Sequence, residues 1–356
     1  MKLLFITRSF PPSVGGMQKF ASDFYENYRK NHQVDLLANT AGSSGLPVFL
    51  LKIVFRLVFF SHKYDVIHFY DAVLSPLAWI AHIFSKAKIT FAVNGLDIVY
   101  NRFGYQQFMP FFLRQADMIF PISRYTLEQC RTRGIPAEKL SVVPVGLYFD
   151  NIKIYTPEQK SALLSRFNLD MEGRKILFTV GRLVKRKGHA WFLEHVMPQL
   201  PGEYVYVVAG DGPEKAHILD IVKNKNLSDR VHLLGIVSDE EKNCFFQSAE
   251  LFVMPNIYVE NDQEGFGIVL LEAGCHGLPV VATNIEGIRD VVIDQSTGRL
   301  VPEKDAQAFL EAIQNSNLTG ARTSEALKAA FGWEKVVQMY YERFLALSGD
   351  GAVVQQ

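Results

Sequence analysis

Short apolar runs punctuate the chain, each ending in a polar or glycine-bearing turn and followed by a longer segment. Residues 2–7, 33–38, 65–69, 88–93, 117–121 and 140–144 form one succession. These runs are rich in Val, Ile, Leu and Phe and bounded by turn residues, which predicts buried strands. The segments between them predict helices, clearest over 17–30. After the polar stretch 151–170 the rhythm restarts with 175–180, 204–209, 230–234, 250–254, 279–283 and 299–301. Strands that alternate with helices predict parallel sheets covered on both faces. Two successions predict two domains, 1–149 and 150–332, and 356 residues suffice for both.

In an open α/β sheet, ligands bind at the carboxyl ends of the strands, so the turns there carry the candidate chemistry. After 250–254 comes the polar loop 256–263, then Glu264-Gly265-Phe266-Gly267 and a helical segment to His276. The glycines let a ligand approach the backbone, and the new helix start offers unpaired N–H groups. Glu264 and Glu272 stand with seven residues between them, and Glu272 sits among Val269, Leu270, Leu271 and Ala273. A carboxylate in such surroundings needs a partner. A sugar or ribose diol would serve, and so would an internal donor; both readings stand at this point. Gly181-Arg182-Leu183-Val184-Lys185-Arg186-Lys187-Gly188 puts four cations in six residues at another strand end, as an anion clamp or as a solvated basic loop. Gly15-Gly16 follows the first strand without forming a GxGxxG fingerprint, and Asn94-Gly95-Leu96-Asp97 follows the fourth.

Composition narrows the field. Lysine plus arginine equals aspartate plus glutamate at 37 each, so no global charge points to nucleic acid and any anion site is local. Three cysteines, Cys130, Cys244 and Cys275, are far apart, which fits a reducing cytosol and neither disulfides nor zinc. The first residues do not read as a signal peptide, and no stretch reaches the roughly 18 uncharged apolar residues of a membrane span. Residues 48–60 stand out: eleven of thirteen are apolar, with Lys52 and Arg56 four apart on one helix face. This is an interfacial helix with its cations at lipid headgroups, or a core helix whose cations snorkel. The aromatic-rich stretch 103–114 extends the same surface in the first reading.

The run 264–283, EGFGIVLLEAGCHGLPVVAT, closely resembles the signature of retaining glycosyltransferases of the family 4 type, which have the GT-B fold. The resemblance implies an α/β chain of two Rossmann-like domains whose parallel sheets face a central cleft, with a final helix at about 333–347 packing back on the first domain. It implies that Arg182 and Lys187, after Gly181, bind the donor diphosphate. Glu264, with the amides of Phe266 and Gly267, positions the sugar, and Glu272 binds the ribose. Gly16 closes the phosphate side, and Ile236 lies by the base. Arg182, Lys187 and Glu264 are then the catalytic set. Asn94 stands where the family usually has His, Gln18 where it often has Glu, and Val145 where Val143-Pro144-Val145-Gly146 would read Val-Pro-Asn-Gly. Asparagine can hydrogen-bond a sugar but carries no proton, which leaves open any mechanism that needs one there.

With no protein nucleophile in view, the donor phosphate takes the acceptor's proton. With no Asp-x-Asp motif, the cations replace a metal, so no cofactor is expected beyond a UDP-sugar or GDP-sugar donor. The expected acceptor is a glycan, or a lipid-linked glycan of a bacterial surface polysaccharide. The expected location is cytoplasmic, with peripheral contact to the inner leaflet through 48–63. A GT-B nucleotide-sugar 2-epimerase and a catalytically silent sugar-nucleotide-binding subunit remain as alternatives.

Overall fold

The computed structural model describes residues 1–13, 15–100, 104–150, 152–167, 169, 173–293, 296–315 and 320–349. Val14, Phe103, Asn151, Asp170 and the tail from Asp350 lie outside them. The chain forms two compact units, one from Met1–Gly146 with Phe331–Gln356 and one from Leu147–Ala330.

The first unit holds five strands: β1 (Lys2–Thr7), β2 (Gln33–Ala38), β3 (Val66–Phe69), β4 (Lys88–Val93) and β5 (Met118–Pro121). They form one parallel sheet in the order β2-β1-β3-β4-β5. Helices α1 (Gly16–Tyr28), α2 (Leu46–Phe60), α3 (Pro76–Phe84), α4 (Leu96–Val99), α5 (Tyr105–Leu113) and α6 (Arg124–Thr132) alternate with the strands. Apolar residues on both sides of each strand need cover on both faces. Phe49, Ile53 and Leu57 of α2, Ala78 and Ala81 of α3 and Leu113 of α5 pack into the core of one face.

The other face is aromatic, and the end of the chain helps to close it. Its final helix begins at Trp333, and Tyr340 packs 5.0 Å from Phe24 and 4.8 Å from Phe120 between ring centroids. Trp333 lies so close to Gly146 that a Cβ there would come within 2.4 Å of the indole. That contact accounts for the glycine. His68 belongs to the same aromatic layer; its Nδ1 lies 2.8 Å from Thr90 Oγ1, and burial lowers its pKa to about 3.

Residues 140–144 do not form the sixth strand that their pattern predicts. Ser141 and Val143 donate to the carbonyls of Ile119 and Pro121 at 3.0 Å, but only the bridge from Ile119 to Leu140 forms. Pro121 has no N–H to return a bond, so the ladder stops.

The second unit has six strands: β6 (Lys175–Val180), β7 (Tyr204–Ala209), β8 (Val231–Gly235), β9 (Leu251–Met254), β10 (Val280–Thr283) and β11 (Gly298–Val301). They pair in parallel in the order β11-β10-β9-β6-β7-β8. Its helices are α7 (Pro157–Leu164), α8 (His189–His195), α9 (Lys215–Asn224), α10 (Asp239–Phe246), α11 (Ile268–Cys275), α12 (Ala306–Gln314) and α13 (Gly320–Phe331); α14 (Trp333–Ser348) is the final helix of the first unit. Local chemistry sets several helix starts. Thr156 with Gln159 and Ser238 with Glu241 form capping boxes for α7 and α10. In each sheet the strand order reverses beside the unit's first strand: between β1 and β3, and between β6 and β9. Those are the switch points where a ligand is expected.

Candidate functional site

Two loops leave the β6/β9 switch point and touch. A Cβ on Gly188, whose φ is +67°, would meet the Pro255 carbonyl oxygen at 1.9 Å. The loop after β6 therefore lies directly on the loop after β9. Gly210 is needed for a similar reason, since a Cβ there would stand 1.9 Å from the Gly181 oxygen. The turn Gly210-Asp211-Gly212-Pro213, which follows β7, thus shapes the backbone beside the basic loop.

This contact delivers two cations to one carboxylate. Lys187, only 9% exposed, donates from Nζ to Glu264 Oε2 at 2.6 Å. Arg186 donates to the same oxygen, and its Nε donates to Asp262 Oδ1 at 2.9 Å. Asn256 Nδ2 adds a third bond to Glu264 Oε2 at 3.3 Å. Burial alone would raise the Glu264 carboxyl, but Lys187 and then Arg186 outweigh it and hold the pKa at about 2. Glu264 is therefore an anion at any working pH, with Oε2 fully used.

The sequence expectation placed Lys187 on a diphosphate and left Arg186 aside. In the structure both lie on Glu264. An ammonium has three donors, so Lys187 keeps two beyond this pair. A Cβ on Gly181 would stand 3.9 Å from Nζ, so glycine leaves that side of the ammonium uncrowded. Arg182 is exposed and makes no ion pair among the described residues.

Glu272 lies elsewhere in the unit. It projects from α11 to Lys242 of α10, whose Nζ is 3.4 Å from Glu272 Oε1 and 3.1 Å from Asp239. Burial disfavours the Lys242 cation, yet Glu272 and Asp239 more than compensate and raise its pKa. Glu272 thus has an internal partner, as the plainer of the two sequence readings allowed. Phe266 is buried, and Gly267 opens α11 with a φ of +79°, a conformation that favours glycine. Ile236, just past β8, is 82% exposed.

The first unit has its own cluster at the β1/β3 switch point. Arg8, directly after β1, pairs with the buried Asp71 just beyond β3. Asp97 accepts from the amides of Asn94 at 2.8 Å and Ala72 at 3.3 Å, while Asn94 Nδ2 donates to the Tyr70 carbonyl at 3.3 Å. Burial, reinforced by Asp71, pushes the Asp97 carboxyl up to about 7. Arg8 and Asp71 were missed in the sequence; their one signal was a charge following each of two adjacent strands. Gly16 opens α1 and is exposed. A Cβ there would meet only Phe20, at an ordinary 3.5 Å, so packing does not demand glycine at this position. Among the described residues, no group of three or more His, Cys, Asp or Glu side chains could hold a metal ion.

Family models agree with this division of the chain. The model for glycosyl transferases group 1 matches residues 163–323, and that for a glycosyl transferase 4-like domain matches 32–146. The chain is similar to an amylovoran biosynthesis glycosyltransferase of Erwinia amylovora, at 30% identity over 56% of this chain. It spans 47% of that protein's length, and 55% and 62% of two proteins of colanic acid biosynthesis from Escherichia coli and Salmonella typhimurium. A GDP-mannose-dependent phosphatidylinositol monomannoside mannosyltransferase of Mycolicibacterium smegmatis is 24% identical over 87% of this chain and 88% of its own. Among solved structures, Anabaena HepE in complex with UDP superposes with a TM-score of 0.79 at 19% identity, covering 97% of this chain and all of that one. Sucrose-phosphate synthase from Thermosynechococcus elongatus gives 0.77 at 20% identity, over 99% of this chain and all of that one.

Proposed function

The chain belongs to the glycosyltransferases of the family 4 type, with the GT-B fold, and from that premise we propose that it transfers a hexosyl group from a nucleoside-diphosphate sugar to a glycan acceptor, with retention at the anomeric carbon. One observation carries the reading: Arg186, Lys187 and Glu264 meet where the loops after β6 and β9 touch.

In this reading Lys187 bridges Glu264 and the diphosphate, and the exposed Arg182 adds a second cation. Both neutralise charge that grows as the phosphate leaves, the kind of preorganised electrostatics that dominates transfer chemistry. Glu264, anchored through Oε2, offers its other oxygen to a sugar hydroxyl. Glu272 and Ile236 take the ribose and base. The cations support catalysis without a metal. The UDP complex of Anabaena HepE and the GDP-mannose dependence of the mycobacterial relative supply the two donors to try first. Acceptor-dependent release of nucleoside diphosphate, with the linkage read by NMR, is the test. Release without any acceptor would favour an epimerase, and binding without release a silent subunit.

The acceptor reading rests on the first unit. Gly42–Lys63, including the turns at either end of α2, is 22 residues long and apolar enough by composition to cross a bilayer. Lys52 and Arg56 interrupt this stretch, so it is not an uncharged run. The inward side of α2 nevertheless belongs to the core, while Leu51, Phe55 and Phe59 form a stripe at i, i+4 and i+8 on its outer side. α3 packs against both α2 and α5 and adds Trp79 and Ile83, and α5 adds Phe108. These six side chains are 57–70% exposed. Lys52 is exposed beside the stripe, whereas Arg56 is half-buried against Phe60.

This supports a surface that rests on the inner leaflet and meets a lipid-linked acceptor there, the cytoplasmic peripheral location expected from the sequence. Wild type is expected to float with anionic vesicles at low salt and less at high salt, since each cation near the surface adds about 1 kcal/mol. The triple variant Leu51→Ser, Phe55→Ser, Phe59→Ser is expected to fold and to stay in the pellet fraction. Equal flotation of both proteins, or none by wild type, would remove the membrane from the reading.

A further inference from the structure

Glu286 is an expensive residue for the place it occupies. It follows β10 with a φ of +48°, the left-handed region that glycine tolerates and other residues rarely adopt. It is only 5% exposed. Its Oε1 is buried and has no hydrogen-bond partner among the described residues. Burial and then the nearby charge of Glu264 push its carboxyl up to about 7. Glycine at this position would avoid the backbone strain, the unpaired oxygen and the repulsion together.

What Glu286 gains in return lies in the main chain of the donor site. Its Oε2 accepts the backbone N–H of Glu264 at 2.5 Å, and the next residue, Gly287, donates its N–H to the Glu264 carbonyl at 3.1 Å. The two loops are pressed together, since a Cβ on Gly287 would meet the Gly265 oxygen at 2.0 Å. Glu264 is thus held at both its main-chain N–H and its C=O, while Arg186, Lys187 and Asn256 hold its side chain. Strain kept in a buried residue beside a functional group is a mark of preorganisation.

We propose that Glu286 is a positioning residue, which fixes the main chain of Glu264 so that the free carboxylate oxygen of Glu264 is aimed at the donor sugar. This rests on the reading of Glu264 as the sugar-positioning carboxylate. The charged groups that face Glu286 are Glu264, Arg186 and Asp262. Ionisation of Glu286 makes it a stronger acceptor for the Glu264 amide. The Glu264 amide proton is therefore expected to shift downfield as pH rises through about 7.

The experiment compares wild type with Glu286→Gly and Glu286→Gln. Glu286→Gly is expected to melt at the same temperature or higher, because it relieves the backbone. Its turnover is expected to fall about tenfold or more, and its affinity for UDP-glucose or GDP-mannose to fall while that for bare UDP or GDP stays within about twofold. Glu286→Gln keeps an acceptor oxygen and is expected to restore most of the turnover. In amide NMR, the pH step of Glu264 is expected to vanish in both variants, and its hydrogen exchange to quicken in Glu286→Gly. A less stable Glu286→Gly protein would make the residue merely structural. Unchanged turnover and selectivity, or a Glu264 amide indifferent to pH and to both substitutions, would also overturn the proposal. If wild type binds neither donor, the donor reading fails separately, and the amide titration still decides whether Glu286 positions Glu264.

Discussion

Lys187→Ala is expected to lower turnover by about 100-fold or more, about 2.7 kcal/mol of transition-state stabilisation, while the protein stays folded. The second half of that expectation comes from the geometry. Lys187 is one of three donors on Glu264 Oε2, and Arg186 and Asn256 remain when it is removed. The half-buried carboxylate keeps a cation beside it, so the penalty of an orphaned charge does not arise. What disappears is the pair of ammonium donors that Glu264 does not use, at the end of β6. Arg186→Ala is expected to behave differently. The Arg186 guanidinium ties Glu264 to Asp262, so its loss should loosen the loop and lower stability as well as turnover. Initial rates with the wild-type donor, together with thermal melts of both variants, separate the cases. A folded Lys187→Ala protein with normal turnover would take this lysine out of the chemistry.

The strands were legible because a parallel sheet buries both faces, which turns each strand into a continuous apolar run. Lys2–Thr7, Lys88–Val93 and Tyr204–Ala209 begin and end where the pattern says. The run at 140–144 misled because its failure depends on a proline in the neighbouring strand, which no local pattern encodes. The helix starts at Gly267 and Gly16 were legible for the same local reasons, glycine at a turn before helical spacing.

The site was legible as a set of loops and less so as a set of contacts. Nothing in the basic loop distinguishes Arg186 from Lys185. The difference is made by Gly188 lying on Pro255, a contact between segments far apart in the chain, which turns Arg186 towards Glu264 and leaves Lys185 exposed. Glu286 was invisible for a related reason. In sequence it reads as an ordinary acidic residue after a strand. Only the left-handed backbone and the bond to the Glu264 amide mark it out. The outward stripe of α2 could be counted but not oriented, since an apolar helix covering a sheet has the same composition whether its second side is covered or bare.

The two glutamates of the signature should separate in a binding experiment. Glu264→Gln keeps the shape of the side chain but removes the charge that Arg186 and Lys187 neutralise. Those cations are then left in excess, which favours the diphosphate, so affinity for bare UDP or GDP is expected to hold or rise. The sugar-bearing donor loses a charged acceptor for its hydroxyl and is expected to weaken by about tenfold or more, 1.4 kcal/mol or above. Glu272 stands apart from that cluster, on α11 beside Lys242, and is read here as the ribose carboxylate. Ribose is common to donor and nucleotide, so Glu272→Gln is expected to weaken both alike. Lys242 retains Asp239 at 3.1 Å, so the substitution does not strand its charge and the fold is expected to hold. Calorimetric titration of each variant with UDP and UDP-glucose, or GDP and GDP-mannose, reads all four affinities. Equal losses for donor and nucleotide at Glu264 would dissolve this division of labour, and a Glu272→Gln protein that binds both as wild type does would return Glu272 to a structural partner of Lys242.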